Sequence, residues 1–221
     1  MANTVILGDA ASLEDLRVFL ERVERFGDGT VRLIADPGVL AVYAATQTPV
    51  GILDDTATVL GLRTFALVEG SAQADLVVTA RSLLDRIAHL DPSQPVLPLP
   101  EVTTTAAWAG VLPPRGNWAP AGMIDGASLA SVAEAGITRV AEALPTDPGE
   151  ALVTKVRRSV WGAEIAPGVP AAAAFAAQSL GFLGDQDPRV AWFRSGAWTR
   201  ISTSRGHVLF RGFRAPAAAS A

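Results

Sequence analysis

The sequence contains no cysteine. Disulfides, thiolate nucleophiles and zinc–thiolate sites are thereby excluded. Histidine occurs only twice, as His89 and His207. They are far apart in sequence, and His89 falls near a helix end, where a cation is favoured. No metal and no cofactor is expected. The formal net charge is -4, and an acidic balance argues against nucleic acid as a partner. Long apolar runs are also missing. The longest, Val169 to Leu183, is broken by Gln178 and Ser179 and is too short to cross a bilayer. The opening MANTVILGD has no basic region, unlike a secretory signal. A cytoplasmic location is expected. G-x-G-x-x-G, G-x-x-x-x-G-K-[ST], H-E-x-x-H, G-x-S-x-G and S-x-x-K are all absent, so no motif fixes a reaction and catalytic residues stay unassigned.

What is present is ample apolar material. Hydrophobic residues make up 49% of 221 positions, enough for one large domain or two small ones. Ser12, with Asp15 at capping-box spacing, opens a helix whose Leu16, Phe19, Leu20, Val23 and Phe26 share a face. Asp36-Pro37-Gly38 between two apolar runs reads as a hairpin turn. Thr56 to Glu69 reads as a strand. Ala74 to Val78 is a strand passing into a helix over 80–90. The stretch from Asp91 to Pro120 is proline-rich, with a strand expected over Val102 to Ala109. Asp125 caps a helix carrying Leu129, Val132, Ala133, Ile137, Val140 and Leu144. Asp147-Pro148-Gly149-Glu150 restarts one, with Asp147 as the cap. Lys155, Arg157 and Arg158 sit towards its C-terminal end, where the dipole favours them. The adjacent acidic pair Asp54-Asp55 reads as solvated loop residues or a helix or turn cap, the alternative being a divalent-ion or acid–base pair. A third helix runs over 170–183, ended by Gly181 or Gly184.

The chain is organised around Val190 to Phe213, whose period-two alternation suits three short strands. Turns at Ser195-Gly196 and Arg205-Gly206, taken as two-residue loops, set Phe193 opposite Trp198 and Arg200 opposite Arg211. One face then carries Val190, Trp192, Thr199, Ile201, Val208 and Phe210, a core pattern. The other carries Phe193, Trp198, Arg200, Ser202, His207, Leu209 and Arg211. Facing arginines repel unless an anion, internal or external, lies between them. The turn from Ser202 to His207 has the composition of a phosphate-holding loop or of a polar hairpin tip. Arg115 and Trp118, in the loop Leu112-Pro-Pro-Arg-Gly-Asn-Trp118, are candidates for part of a ligand lip.

The Ala/Arg/Pro-rich usage of the whole chain resembles that of uncharacterised conserved actinobacterial proteins, which implies no activity. The run Leu76-Val-Val-Thr-Ala-Arg-Ser-Leu-Leu-Asp-Arg-Ile87, within the hairpin–strand–strand–helix order of Thr30 to Leu90, is similar to the strand-to-helix joint of DNA sliding-clamp domains. The second half does not repeat that pattern, and no functional residue carries over.

The expected fold is α+β: a mostly antiparallel sheet with segregated helices and a C-terminal three-stranded meander. Residues 1–114 form an α+β half. Residues 115–214 form a helical segment plus the meander, with or without a core in common, and 215–221 a tail. The expected function is non-catalytic binding through Trp198, Arg200, Ser202, His207 and Arg211, with Arg115 and Trp118 beside them. The partner would be a protein or a small anion. The alternative is a small enzyme holding an anionic metabolite on Arg200, Arg211 and His207.

Overall fold

The computed structural model describes residues 3–26, 29–51, 54–91, 93–184 and 188–212. In chain order its elements are β1 (Thr4–Ile6), α1 (Ala10–Val23), β2 (Thr30–Asp36), β3 (Val39–Gln47), β4 (Thr58–Ala66), β5 (Ala74–Thr79), α2 (Ala80–Ile87) and β6 (Val96–Pro98). There follow a 3-10 turn at Ala107–Gly110, β7 (Ala119–Asp125), α3 (Gly126–Ala143), α4 (Glu150–Trp161), β8 (Glu164–Ala166), β9 (Val169–Pro170) and α5 (Ala171–Ser179). The meander closes the described chain as β10 (Arg189–Ser195), β11 (Trp198–Ser202) and β12 (His207–Arg211). The protein is α+β. The tail expected over 215–221 lies outside the described residues.

The chain divides into two compact units. One is Met1–Thr46 with Gly61–Leu112, the other Gln47–Leu60 with Pro113–Ala221. The first has strand order β5-β2-β3-β4, with β1 and β6 paired separately. Its β2–β3 hairpin turns at Pro37-Gly38, with Asp36 opposite Val39. Gly38 has φ 82, a conformation open to glycine at little cost. α1 buries Leu13, Leu16, Phe19, Leu20 and Val23, and α2 buries Ala80, Leu83 and Ile87. The two helices pack on each other, and Leu33, Leu40 and Val42 are fully buried. Asp9, not Ser12, caps α1: its carboxylate accepts the Ser12 amide at 2.7 Å. Ser12 lies inside the first turn.

Val102 to Ala109 is not a strand. Val102 is exposed, the segment has a single backbone bond to β5, from the Thr104 amide to the Val77 carbonyl at 2.8 Å, and it ends in the 3-10 turn. The β-branched residues there favour extended backbone, but a strand needs a neighbour.

In the second unit the order is β12-β11-β10-β7. Strand β7 has low strand propensity, with two alanines, a proline and a glycine. It is held by pairing with β10, and as the last strand of the order it tolerates Pro120. α5 buries Ala171, Ala172, Ala173, Ala174, Ala176 and Ala177. Small side chains let it lie close to α3 and β12. Gly181, φ 72, ends it. The β8–β9 hairpin, which no strand signal in the sequence announced, precedes α5. Asp125 caps α3 as expected, accepting the Ser128 amide at 2.8 Å. Asp147 caps nothing. It has φ 58, in the left-handed region, whereas an N-cap is extended, and the cap of α4 is Gly149 with φ −64 and ψ 149. No helix among the described residues is long and apolar enough to cross a membrane.

Candidate functional site

The meander builds the site from two turns, each placed differently from a simple two-residue reading of the sequence. β10 and β11 are joined by Gly196-Ala197, with Ser195 opposite Trp198 and Phe193 opposite Arg200. β11 and β12 are joined by the four residues Thr203–Gly206, with Ser202 opposite His207 and Trp198 opposite Arg211. Both registers slip by two from the expected pairing. A slip of two keeps every side chain on its face, whereas a slip of one would invert the sheet. Val190, Trp192, Ile201, Val208 and Phe210 are therefore buried together as expected. Arg200 and Arg211, however, are not opposite each other. Arg200 faces Leu209, so Arg211 is its diagonal neighbour on the same face.

Arg200 lies over two rings. Its guanidinium carbon is 4.7 Å from the centroid of Trp118 and 4.9 Å from that of Phe193. Trp118 is fixed by the loop ahead of β7, where its Nε1 donates to the Pro114 carbonyl at 3.1 Å and Asn117 takes φ 61. Ser195 Oγ ties the same loop to the meander through the Gly116 carbonyl at 3.3 Å. The Nε of Arg200 is buried and makes no hydrogen bond. Burial pushes its pKa down from the usual arginine range. Arg211 lies 5.3 Å over the Trp198 ring. Among the described residues, neither Arg200 nor Arg211 has a carboxylate partner.

His207 is half-buried beside them, with Nδ1 3.0 Å from Ser202 Oγ. Burial first, then the charge of Arg200, pushes its pKa down to about 4. It is neutral at physiological pH. The Thr203–Gly206 turn is closed from within. The Arg205 and Gly206 amides both donate to Thr203 Oγ1, each at 3.2 Å. The structure thus joins Trp118 and Arg200, Trp198 and Arg211, and Ser202 and His207. Arg115 stays exposed on the loop. Phe193 belongs in the set although it was not singled out; its place on the arginine face of the alternating pattern was the available signal.

Asp54 and Asp55 do more than solvate a loop. Asp54 accepts the Val50 amide at 2.8 Å and the Thr56 hydroxyl at 2.6 Å. Both carboxylates pair with Arg158 on α4, Asp54 at 2.6 Å. Arg158 thus answers specific carboxylates, beyond the helix-end dipole.

The fold is similar to that of bacterial DNA sliding clamps. The structure is similar to DNA polymerase III subunit beta from Pseudomonas aeruginosa (TM-score 0.53, 15% identity, 98% of this chain and 66% of that one). It is similar to the Thermotoga maritima beta subunit (TM-score 0.57, 13% identity, 98% and 66%). It also matches a DnaN clamp from Bartonella birtlesii bound to griselimycin (TM-score 0.52, 14% identity, 94% and 64%). At such identities the likeness is one of fold. It extends the resemblance seen in Thr30 to Leu90 through the second half, where the sequence showed no repeat. The chain spans just under two thirds of the length of these clamps.

Residues 1–110 match the family described as Domain of unknown function (DUF8010), and residues 113–215 match Domain of unknown function (DUF8185). No curated protein matches the chain.

Proposed function

We propose that the protein is a non-catalytic cytoplasmic accessory protein that docks a partner protein through the Trp118–Arg200 face, taking an anionic group of the partner onto Arg200. One observation carries the reading. Arg200 lies over two rings, with a buried, unbonded Nε and no carboxylate of the described chain to balance it. Rings over a guanidinium leave its terminal N–H donors for a planar, bidentate acceptor. Trp and Arg at a rigid, partly desolvated centre are also what protein-binding hot spots are made of. The fold supports an accessory role, since the similar structures are described as polymerase subunits and sliding clamps. For the same reason the net charge of -4 is no argument against nucleic acid near this protein. The alternative of an enzyme holding a metabolite on Arg200, Arg211 and His207 is less favoured. A base with a pKa of about 4 is poorly matched to proton transfer near neutrality.

The test is a melting series in acetate, succinate, sulfate and phosphate against chloride at matched ionic strength, on the parent and on Arg200→Ala. A bound anion stabilises in proportion to the logarithm of its concentration over its dissociation constant. Stabilisation by carboxylate that vanishes in Arg200→Ala supports the site. Equal melting in all salts, or an effect that survives the substitution, removes it.

A further inference from the structure

A second site lies apart from the arginine face. The ten residues between β3 and β4 (48–57) form a longer connection than antiparallel neighbours need; about two to five suffice. Within the second unit, Asp54 and Asp55 strap this loop to Arg158 in the last turn of α4. A cleft of about 530 Å³ opens under the strap, within the usual range of about 300–1,000 Å³ for small-molecule sites. Its apolar wall is Ala57, Trp161, Ala163 and Pro170, and Asp55 and Arg158 stand on its rim. The wall is rigid, because Trp161 is buried against the Phe175 ring, centroids 4.5 Å apart.

Three features set the sign of charge the cleft accepts. Two carboxylates share one guanidinium, which leaves one negative charge in excess. Asp54 is committed, taking bonds from Val50, Thr56 and Arg158, whereas the Asp55 side chain is 85% exposed at the rim. The C-terminal turn of α4, Arg158 to Trp161, lines the cleft, and the end of a helix carries a negative partial charge. Lys155 and Arg157 of the same helix are exposed and do not line it.

We propose that this cleft binds a small organic cation, an apolar body bearing one ammonium or guanidinium group, with the body against Trp161 and Pro170 and the charge on Asp55. None of the lining residues belongs to the Arg200 face, so the proposal stands or falls separately from the anion site.

The test uses the full chain and three matched probes in isothermal titration and saturation-transfer NMR: phenethylamine, phenethyl alcohol and phenylacetate. Phenethylamine is expected to bind saturably, at least about tenfold more tightly than the alcohol, as a charge-assisted hydrogen bond implies. Phenylacetate is expected not to bind. Asp55→Asn should cut the amine affinity about tenfold, and Ala163→Phe, which fills the cleft, should abolish it, while Arg200→Ala leaves it unchanged. Binding of the alcohol or phenylacetate as tight as that of the amine overturns the proposal. So does a failure of the amine to saturate at millimolar concentration, or an affinity unmoved by Asp55→Asn. That last variant is nearly isosteric, so it decides the matter even if Ala163→Phe does not fold.

Discussion

The indole of Trp161, on α4, occupies the space that a β-carbon on Gly136 of α3 would need; a methyl group there would overlap Cζ3. Two effects compete at this position. Alanine in a helix interior is favoured over glycine by about 0.5–1 kcal/mol. Overpacking a rigid aromatic costs about 1–3 kcal/mol. The second wins because Phe175 backs the ring. Gly136→Ala should therefore lower stability by roughly 1–2 kcal/mol in a urea titration, the reverse of what helix propensity alone gives.

Trp192 is 6% exposed, opposite Ile201, and a β-carbon on Gly122 would come within 2.5 Å of its Nε1. Trp192→Ala should cost about 3–5 kcal/mol. Gly122→Ala should cost about 1–3 kcal/mol through the same indole. Denaturant midpoints of the two variants check both, and an unchanged midpoint for Trp192→Ala would contradict its burial.

The helix caps give a paired comparison. Asp125→Ala removes the acceptor of the Ser128 amide and hydroxyl and should cost about 0.5–2 kcal/mol. Asp147→Ala removes no cap, so its thermal midpoint should fall by less than that of Asp125→Ala.

Replacing Arg200 by methionine keeps an unbranched side chain and removes the buried, unbonded Nε. An unsatisfied buried donor costs about 1–3 kcal/mol. Removing the cation from over Trp118 and Phe193 forfeits about 0.5–2 kcal/mol, which offsets much of that relief. Arg200→Met should therefore leave stability unchanged or raise it by up to about 1 kcal/mol, while abolishing any response to carboxylate. A large loss of stability on calorimetry would show that the guanidinium serves the fold.

The Asp54 carboxyl is held down to about 2, first by the Thr56 hydroxyl, then by the Val50 amide and, more weakly, by Arg158. A depressed carboxylate contributes stability above its unfolded pKa of about 3.9 and loses it as pH falls through the folded value. The melting-temperature gap between parent and Asp54→Ala should be full at pH 5 and should narrow between pH 4 and pH 2. A gap that is constant over that range would mean the carboxylate's charge is not what holds the loop.

Local signals were legible where one stretch of chain decides the outcome. Asp36-Pro37-Gly38 made its hairpin, Asp125 its cap, and the alternation from Val190 to Phe210 placed each side chain on its proper face. Register was not legible, because it depends on turn length, and Thr203–Gly206 closes through the Thr203 hydroxyl as a four-residue turn. Pairings between distant segments were hidden altogether. Arg158 and Asp54 are 104 residues apart in sequence. Nothing in APAGMID announces a strand until β10 lies beside it. The arginine face was half legible: its members share a strand pattern, but the ring that covers Arg200 comes from a proline-rich loop.

The strand β4 begins in one compact unit at Thr58 and passes into the other at Gly61. The seam between the two family matches, near residue 112, is therefore not a line along which the gene can be cut. A fragment from residue 113 onward would carry Arg158 without either of its carboxylates and would lack Ala57 from the wall around Trp161. A fragment ending at 110 would carry a severed strap with nothing to grip.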